Sequence, residues 1–359
     1  MVWSEDFPMG IKRDVIDLGF RMFGATGLHR LAARYTQGMG AILMFHRVLP
    51  ASHEAFAPNG GLEITPEFLD LLLTRLKGQG FAIVSLDEAV TRIRDGAGDA
   101  APFVALTFDD GYRDTAHVAL PILEKHGAPF AVFVTTGFAD RTARMWWVEM
   151  EEAIAALPAV RIEAAGRLFD LPATTPEEKQ AAFEALYWPL RAGEERELLR
   201  VAGALADEAG VERIDLVDEL CLNWCGLRKL SEHPLATIGA HTLTHPMLAK
   251  HPDAFARHEI FESKAIIERE IGREVKHFAY PVGDPGSAGA REFVLARQAG
   301  FASAVTTRPG MIFPEHASHL TALPRLSVNG HHQSLATLDI LLSGAPFMLW
   351  NKGRKLSVA

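Results

Sequence analysis

The chain has 359 residues, 48% of them hydrophobic, enough to bury the core of one large domain with an insertion. Its formal net charge of −9 argues against a nucleic-acid-binding surface and leaves a neutral sugar open as a partner. No uncharged apolar stretch reaches the roughly 18 residues of a transmembrane helix, and only two cysteines, Cys221 and Cys225, are present, a count that suits a reducing compartment.

Met1 to Gly10 is acidic and no signal-peptide core follows it, so the expected location is cytoplasmic. Ile11 to Arg34 reads as one or two amphipathic helices broken near Gly24 and Gly27, with Val15, Leu18, Met22 and Phe23 set among Lys12, Arg13, Arg21, Arg30 and Arg34. Ala41–Phe45 is the first predicted strand and runs into His46. Thr65 and Pro66 supply a helix cap and first position, and that helix stops at Gly78 and Gly80. Phe81–Val84 is the second strand, and Ser85 to Glu88 has capping-box spacing for the next helix.

Phe103–Phe108 is a buried strand that ends in Asp109-Asp110-Gly111-Tyr112. Adjacent carboxylates repel, so a cation or shared proton is expected between them, with Gly111 allowing the bend that brings both to one place. A polar turn that caps a helix at Asp110 or Asp114 is the plainer reading. Phe130–Val134 is the fourth strand. Gly137 to Pro234, rich in Ala, Glu, Leu and Arg, reads as several helices inserted where a lid or substrate wall would stand. Trp146 and Trp147 open it, and one of them, taken as Trp147, could stack on a sugar ring; core packing is the alternative. Cys221 and Cys225 read as two residues on one face of a helix.

Residues 236–240 form another strand, entering His241-Thr242-Leu243-Thr244-His245-Pro246. Pro246 keeps His245 out of a helix, so the two histidines share a tight turn. With an aspartate from the earlier strand end they make an Asp-His-His set with an open position, the donor set of a catalytic divalent ion. Zn²⁺ is the first choice, with Co, Ni or Mn as alternatives. Residues 276–280 run into Pro281-Val282-Gly283, a loop able to aim backbone N–H groups at an oxyanion. Strands near 302–305 and 324–328 follow. Leu335 to Trp350 is apolar apart from Asp339 and precedes Lys352, Arg354 and Lys355. Packing of the two terminal segments on the barrel or on another subunit, and peripheral contact with an anionic membrane, are both open readings. The oligomeric state is not readable. Strands alternating with helices predict a parallel α/β sheet, and functional residues at strand ends suit a (β/α) barrel.

Thr107-Phe108-Asp109-Asp110-Gly111-Tyr112, His241 to His245 and Phe278-Ala279-Tyr280-Pro281-Val282-Gly283, in this order, resemble the first three motifs of the polysaccharide deacetylase family, the NodB homology domain of carbohydrate esterase family 4. Ile42 to Val48 resembles the opening of one subgroup. The resemblance covers roughly residues 40–330, leaving 1–39 as an N-terminal helical segment and 331–359 as a C-terminal helix and basic tail. It implies a distorted, incompletely closed (β/α) barrel and a hydrolase that removes N-acetyl groups from a sugar, oligosaccharide or lipid-linked glycan. A small-amide or imide hydrolase and a non-catalytic relative are the alternatives. Asp109 matches the catalytic base, Asp110, His241 and His245 the metal ligands, and Val282 the oxyanion N–H, with Tyr280 and Pro281 beside it. The arginine expected two positions before Pro281 is Ala279 here, and Arg325 is the candidate replacement. The usual final Leu-x-Leu-His is absent, so His46, His319, His331 and His332 are candidates for the acid, with His46 best placed.

Overall fold

The computed structural model describes residues 27–52, 54–96 and 100–358, together with Gly19, Gly24 and Thr26. The helices expected between Ile11 and Gly27 lie largely outside the described residues. The main sheet has eight parallel strands: β1 (Gly40–Phe45), β2 (Ala82–Val84), β3 (Phe103–Phe108), β4 (Phe130–Val134), β5 (Ala236–Ala240), β6 (His277–Ala279), β7 (Ser303–Pro309) and β8 (Leu323–Ser327). Most of these segments are short apolar runs buried on both faces, as a parallel strand between helices and a filled interior must be.

β1 pairs with β8 on one side and with β3 on the other, so seven strands close a ring in the order β1, β3, β4, β5, β6, β7, β8. The distortion expected of this barrel has two visible sources. β2 and β4 share one edge of β3: Ala82 to Val84 register with Phe103 to Ala105, and Phe130 to Val132 with Leu106 to Phe108. β2 therefore sits outside the ring, which closes without it. The β5–β6 seam is held only at Phe278↔Ala240 among the registered pairs. Inside, Ile42, Ala105, Phe133, Ala279, Val305 and Leu323 form one cluster with Leu86, Ala89 and Ile93 of the helix after β2.

Local chemistry sets the element ends. Thr65 accepts the Phe68 N–H at 3.2 Å and Pro66 opens the helix Pro66–Gly78, which buries Leu69, Leu72, Leu73 and Leu76 at helical spacing. Ser85 likewise accepts the Glu88 N–H.

The insertion is more than helices. Between Trp146–Ala156 and Pro176–Ala192 lies an antiparallel hairpin, Ala159–Ala164 with Arg167–Pro172, in strict in–out alternation on its first strand. Its pattern was masked by a composition rich in helix formers. The insertion has its own core, in which Trp146, Met150, Phe183, Leu186, Leu198 and Val201 take part, and Tyr112 and Met247 of the barrel join it. The two cysteines do not share a helix face: Cys221 is buried in a β-bridge with Tyr112, and Cys225 is exposed on the next helix, Trp224–Ser231.

One carboxyl at the base of the insertion carries a pH prediction. The Asn59 amide donates to Glu151 Oε2 at 2.7 Å and to the Trp147 carbonyl at 2.8 Å. Burial, opposed by that hydrogen bond, pushes Glu151 from 4.5 up to about 7. A carboxyl raised in the folded state adds stability that is full below its unfolded value and is lost as pH rises through about 7. Glu151→Gln is therefore expected to flatten the decline of stability from pH 5 to 8, and to gain on the order of 1–3 kcal/mol at pH 8. Urea unfolding at the two pH values checks this; an unchanged difference between them would remove Glu151 as its cause.

Candidate active site

β3 delivers two carboxylates to one place by a backbone reversal. Asp109 continues the ladder, donating its N–H to the Phe45 carbonyl at 3.0 Å. Asp110 and Gly111 then both adopt left-handed conformations, with φ of 71° and 68°. That conformation is costly for a non-glycine residue, and here it separates the environments of two neighbouring side chains.

Asp109 faces Arg325 from β8, which lies on the other side of β1. The guanidinium donates from Nη1 and Nη2 to the two carboxylate oxygens, each at 2.7 Å, from Nη1 to Thr107 Oγ1 at 3.1 Å and from Nε to the Thr306 carbonyl at 2.9 Å. The β7–β8 register shifts between Val305 and Pro309, and Thr306 lies within that irregularity. Arg325 is 1% exposed and Asp109 2%. Burial alone would raise the Asp109 pKa, but the Arg325 charge and hydrogen bonds outweigh it and hold the carboxyl below its usual range. Arg325 thus supplies from β8 the arginine partner of Asp109 that position 279, a wholly buried alanine, does not.

Asp110 faces the two histidines. Its Oδ1 lies 3.4 Å from His241 Nε2 and 3.3 Å from His245 Nε2, and donor atoms of the three residues lie within 4.8 Å of one another. This is the one such cluster among the described residues. Asp110 Oδ1 is buried without a hydrogen-bond partner. Donors bound tetrahedrally at about 2.0–2.1 Å sit about 3.3 Å apart, so the spacing fits a small divalent ion. His241 Nδ1 lies 2.7 Å from the Ala279 carbonyl, a contact that fixes the tautomer with Nε2 free for a metal. Burial would raise Asp110, but His241 and His245 hold it far below the usual carboxylate range.

The histidine loop is left-handed at Thr242 and His245, φ 67° and 62°, and Pro246 disfavours a helical continuation through His245. Two buried glutamates that sequence reasoning missed hold it. Glu259, on the helix Asp253–Ile271, accepts the N–H groups of Leu243 and Thr244 at 2.8 and 2.9 Å and the Thr244 hydroxyl at 2.7 Å. Glu195, first residue of an insertion helix, accepts the Met247 N–H with both oxygens at 3.1 Å. The signal for Glu259 was an acid at a core position between Ala256, Ile260, Ser263 and Ile267. Glu259→Gln is expected to weaken metal binding about 10–100-fold, because an amide NH₂ would take the place of one oxygen and face the one or two donors that oxygen accepts from. Metal titration of the folded variant checks this, and unaltered affinity would show the loop is held without it.

His46 follows β1, whose Phe45 registers with Phe108, so it stands level with Asp109. It is half-buried. Burial lowers its pKa, opposed by the charges of Asp109 and Asp110. Of the other candidate histidines, His331 and His332 lie on the turn Gly330–His332 after β8. His319 ends a turn, Pro314–Ser318, that packs on the helix Leu86–Asp95, and His331 lies against Gly61.

Val282 sits at φ 61°, and its N–H makes no hydrogen bond among the described residues, while its carbonyl accepts from Thr307 Oγ1 at 2.7 Å. Pro281, buried and without an N–H, shapes this turn. Tyr280 corrects the sequence expectation: its N–H goes to the Val305 carbonyl at 3.1 Å, its phenol donates to the Thr321 carbonyl at 2.8 Å, and its ring packs on Phe278 and Phe293. It belongs to the core. Trp147 is also corrected as an open stacking platform. Its indole is 6% exposed, donates to Tyr112 Oη at 3.2 Å, and lies 4.8 Å from the His245 ring, so it is a wall behind a histidine.

A parallel barrel that gathers a clamped carboxylate and a three-donor cluster at its strand ends has the build of a hydrolase. The polysaccharide deacetylase family matches residues 97–185 and 194–302, more than half of the chain, and the chain belongs to that family. It is therefore a deacetylase-class hydrolase of non-peptide amide bonds. Comparison with curated proteins gives no match. Among solved structures, the Streptococcus pyogenes deacetylase PplD, in complex with acetate, has a TM-score of 0.56 at 19% identity, covering 85% of this chain and 97% of its own. The de-N-acetylase from Aggregatibacter actinomycetemcomitans has a TM-score of 0.52 at 16% identity, covering 84% and 98%. IcaB from Ammonifex degensii has 0.51 at 17%, covering 84% and 96%. At these identities the likeness is one of fold.

Proposed function

We propose that the enzyme removes the acetyl group from an N-acetylated sugar, oligosaccharide or lipid-linked glycan, using a divalent ion held by Asp110, His241 and His245. The observation that carries this reading is an ionised, Arg325-clamped Asp109 directly beside that three-donor cluster. Zn²⁺ suits two imidazoles and a carboxylate best, with Co, Ni or Mn as alternatives. Bound there, such an ion would supply Lewis-acid polarisation of the amide carbonyl and acidify a water.

The chain's own groups account for the protons. Asp109 takes one from the attacking water, and Arg325 keeps it ionised for that task. The unused N–H of Val282 is offered to the oxyanion as the water oxygen bonds to the carbonyl carbon. The C–N bond then breaks, acetate forms, and the departing nitrogen needs a proton. Burial keeps His46 below the ordinary imidazole range, so it donates only a proton it has first received, and Asp109 beside it is the group that has gained one.

The test is acetate release from N-acetylated oligosaccharides and small N-acyl amides, with metal-loaded and chelated protein in parallel and Asp109→Asn as blank. Metal-dependent acetate from the glycans, absent in the variant, supports the reading. Turnover confined to the small amides, or none from folded, metal-loaded protein, would reject it.

A further inference from the structure

We propose that the helices Leu28–Thr36 and Ala345–Trp350 together form a face that docks on an anionic lipid bilayer. The large hydrophobic side chains left exposed on the described chain are few, and five of them fall on these two helices: Leu28 at 56%, Leu31 at 69%, Tyr35 at 78%, Leu349 at 69% and Trp350 at 45%. The two helices pack against each other, and Thr36 Oγ1 donates to the Ser343 carbonyl at 2.6 Å to pin their ends together.

Spacing shows how each helix divides its faces. Leu28, Leu31 and Tyr35 lie on one stripe turned outward, while His29 faces the protein. Arg30 and Arg34, one helical turn apart, are exposed beside the stripe. On the second helix Ala345 and Phe347 are buried and Leu349 and Trp350 turn out. The turn that follows has φ of 53° at Lys352 and 79° at Gly353, and leaves Lys352 and Arg354 exposed. Lys355 is excluded from the face because Glu315 takes it at 3.0 Å. Residues 28–37 and 345–358 contain no Asp or Glu, in a chain that has 45 of them.

Apolar side chains rimmed by cations, on a protein of net charge −9, complement a surface that is both apolar below its headgroups and negative above. The cations select this occupant over a second copy of the chain. A two-fold contact through the same face would bring Arg30, Arg34, Lys352 and Arg354 of both copies into one interface with no acid from either segment to offset them. The face is separate from the acetamide site and does not rest on the proposed activity.

The test is co-sedimentation of the full chain with phosphatidylcholine vesicles, with and without phosphatidylglycerol, at low and high salt. Binding is expected to need phosphatidylglycerol and to fall with salt. Removing each cation should cost roughly fivefold in partition, so Arg30→Gln/Arg34→Gln should lose about twenty-five-fold. Leu31→Ser/Tyr35→Ser, at exposed positions, should lose binding while keeping the thermal midpoint. Absence of binding to anionic vesicles by folded protein, or binding indifferent to both double variants, would overturn the proposal. A concentration-dependent dimer that these variants abolish, without vesicle binding, would assign the face to a second copy instead.

Discussion

Arg325→Met is expected to lower kcat/KM by about 10²–10⁴ and to cost about 3–5 kcal/mol of stability, both from one cause. Asp109 is buried and kept ionised by the charge and the two hydrogen bonds of that guanidinium, which Thr107 Oγ1 and the Thr306 carbonyl hold in place. Without the guanidinium, burial is the dominant influence and drives the carboxyl toward its protonated form, which cannot accept a proton from water. The sign for pH follows. A depressed carboxyl contributes stability above its unfolded value near 3.8 that is lost as pH falls through its lower folded value. In the variant the acid limb of kcat/KM should therefore move to higher pH. Arg325→Lys should recover part of the ionisation but not the two-point grip, since a point charge cannot replace the fork. Asp109→Asn should lose turnover to a similar degree and retain metal. The double variant separates the two roles. Removing both partners leaves no uncompensated buried charge, so stability should recover relative to either single change while activity stays lost. Additive losses of stability would show that the pair does not act as a unit.

Much of this centre was legible because its parts lie next to each other in the chain. Asp109-Asp110 and His241 to His245 end apolar strands, and strand ends are where a barrel gathers its chemistry. Arg325 was legible only through a gap: its partner is 216 positions away, and the pointer to it was the alanine at 279 where the resemblance expects an arginine. Glu259 and Glu195 gave less, since a glutamate in a helix is ordinary until its burial is known, and burial depends on which loop packs above it. The hairpin Ala159–Ala164 with Arg167–Pro172 was hidden in the same way, because strand pairing is a tertiary fact and its surroundings favour helix. Tyr280 and Trp147 show the converse error. Both neighbour the right residues in sequence or space, but their rings answer to packing and to their own polar atoms, which the Thr321 carbonyl and Tyr112 satisfy.

Asp110→Ala is expected to reduce metal content from about one ion per chain to less than about a tenth and to lower turnover by at least about 10³-fold. The reason lies in how unequally the three donors are held. His241 is fixed by its contact with the Ala279 carbonyl, so it keeps its orientation whatever the others do. His245 Nδ1 is buried with no hydrogen-bond partner, and its ring is aligned by Trp147 at 4.8 Å and Phe138 at 5.9 Å. Asp110 is the one carboxylate donor and the common neighbour of both histidines, so its loss leaves two imidazoles of which one is held only by packing. The readout should include stability as well as activity. An ion that binds the folded chain at about a hundred times its Kd adds about 2.7 kcal/mol, so chelation should lower the wild-type midpoint. In Asp110→Ala the chelator should change nothing, because there is no bound ion to remove. A variant that still shifts with chelator would place the ion elsewhere, and the three-donor reading would fall with it.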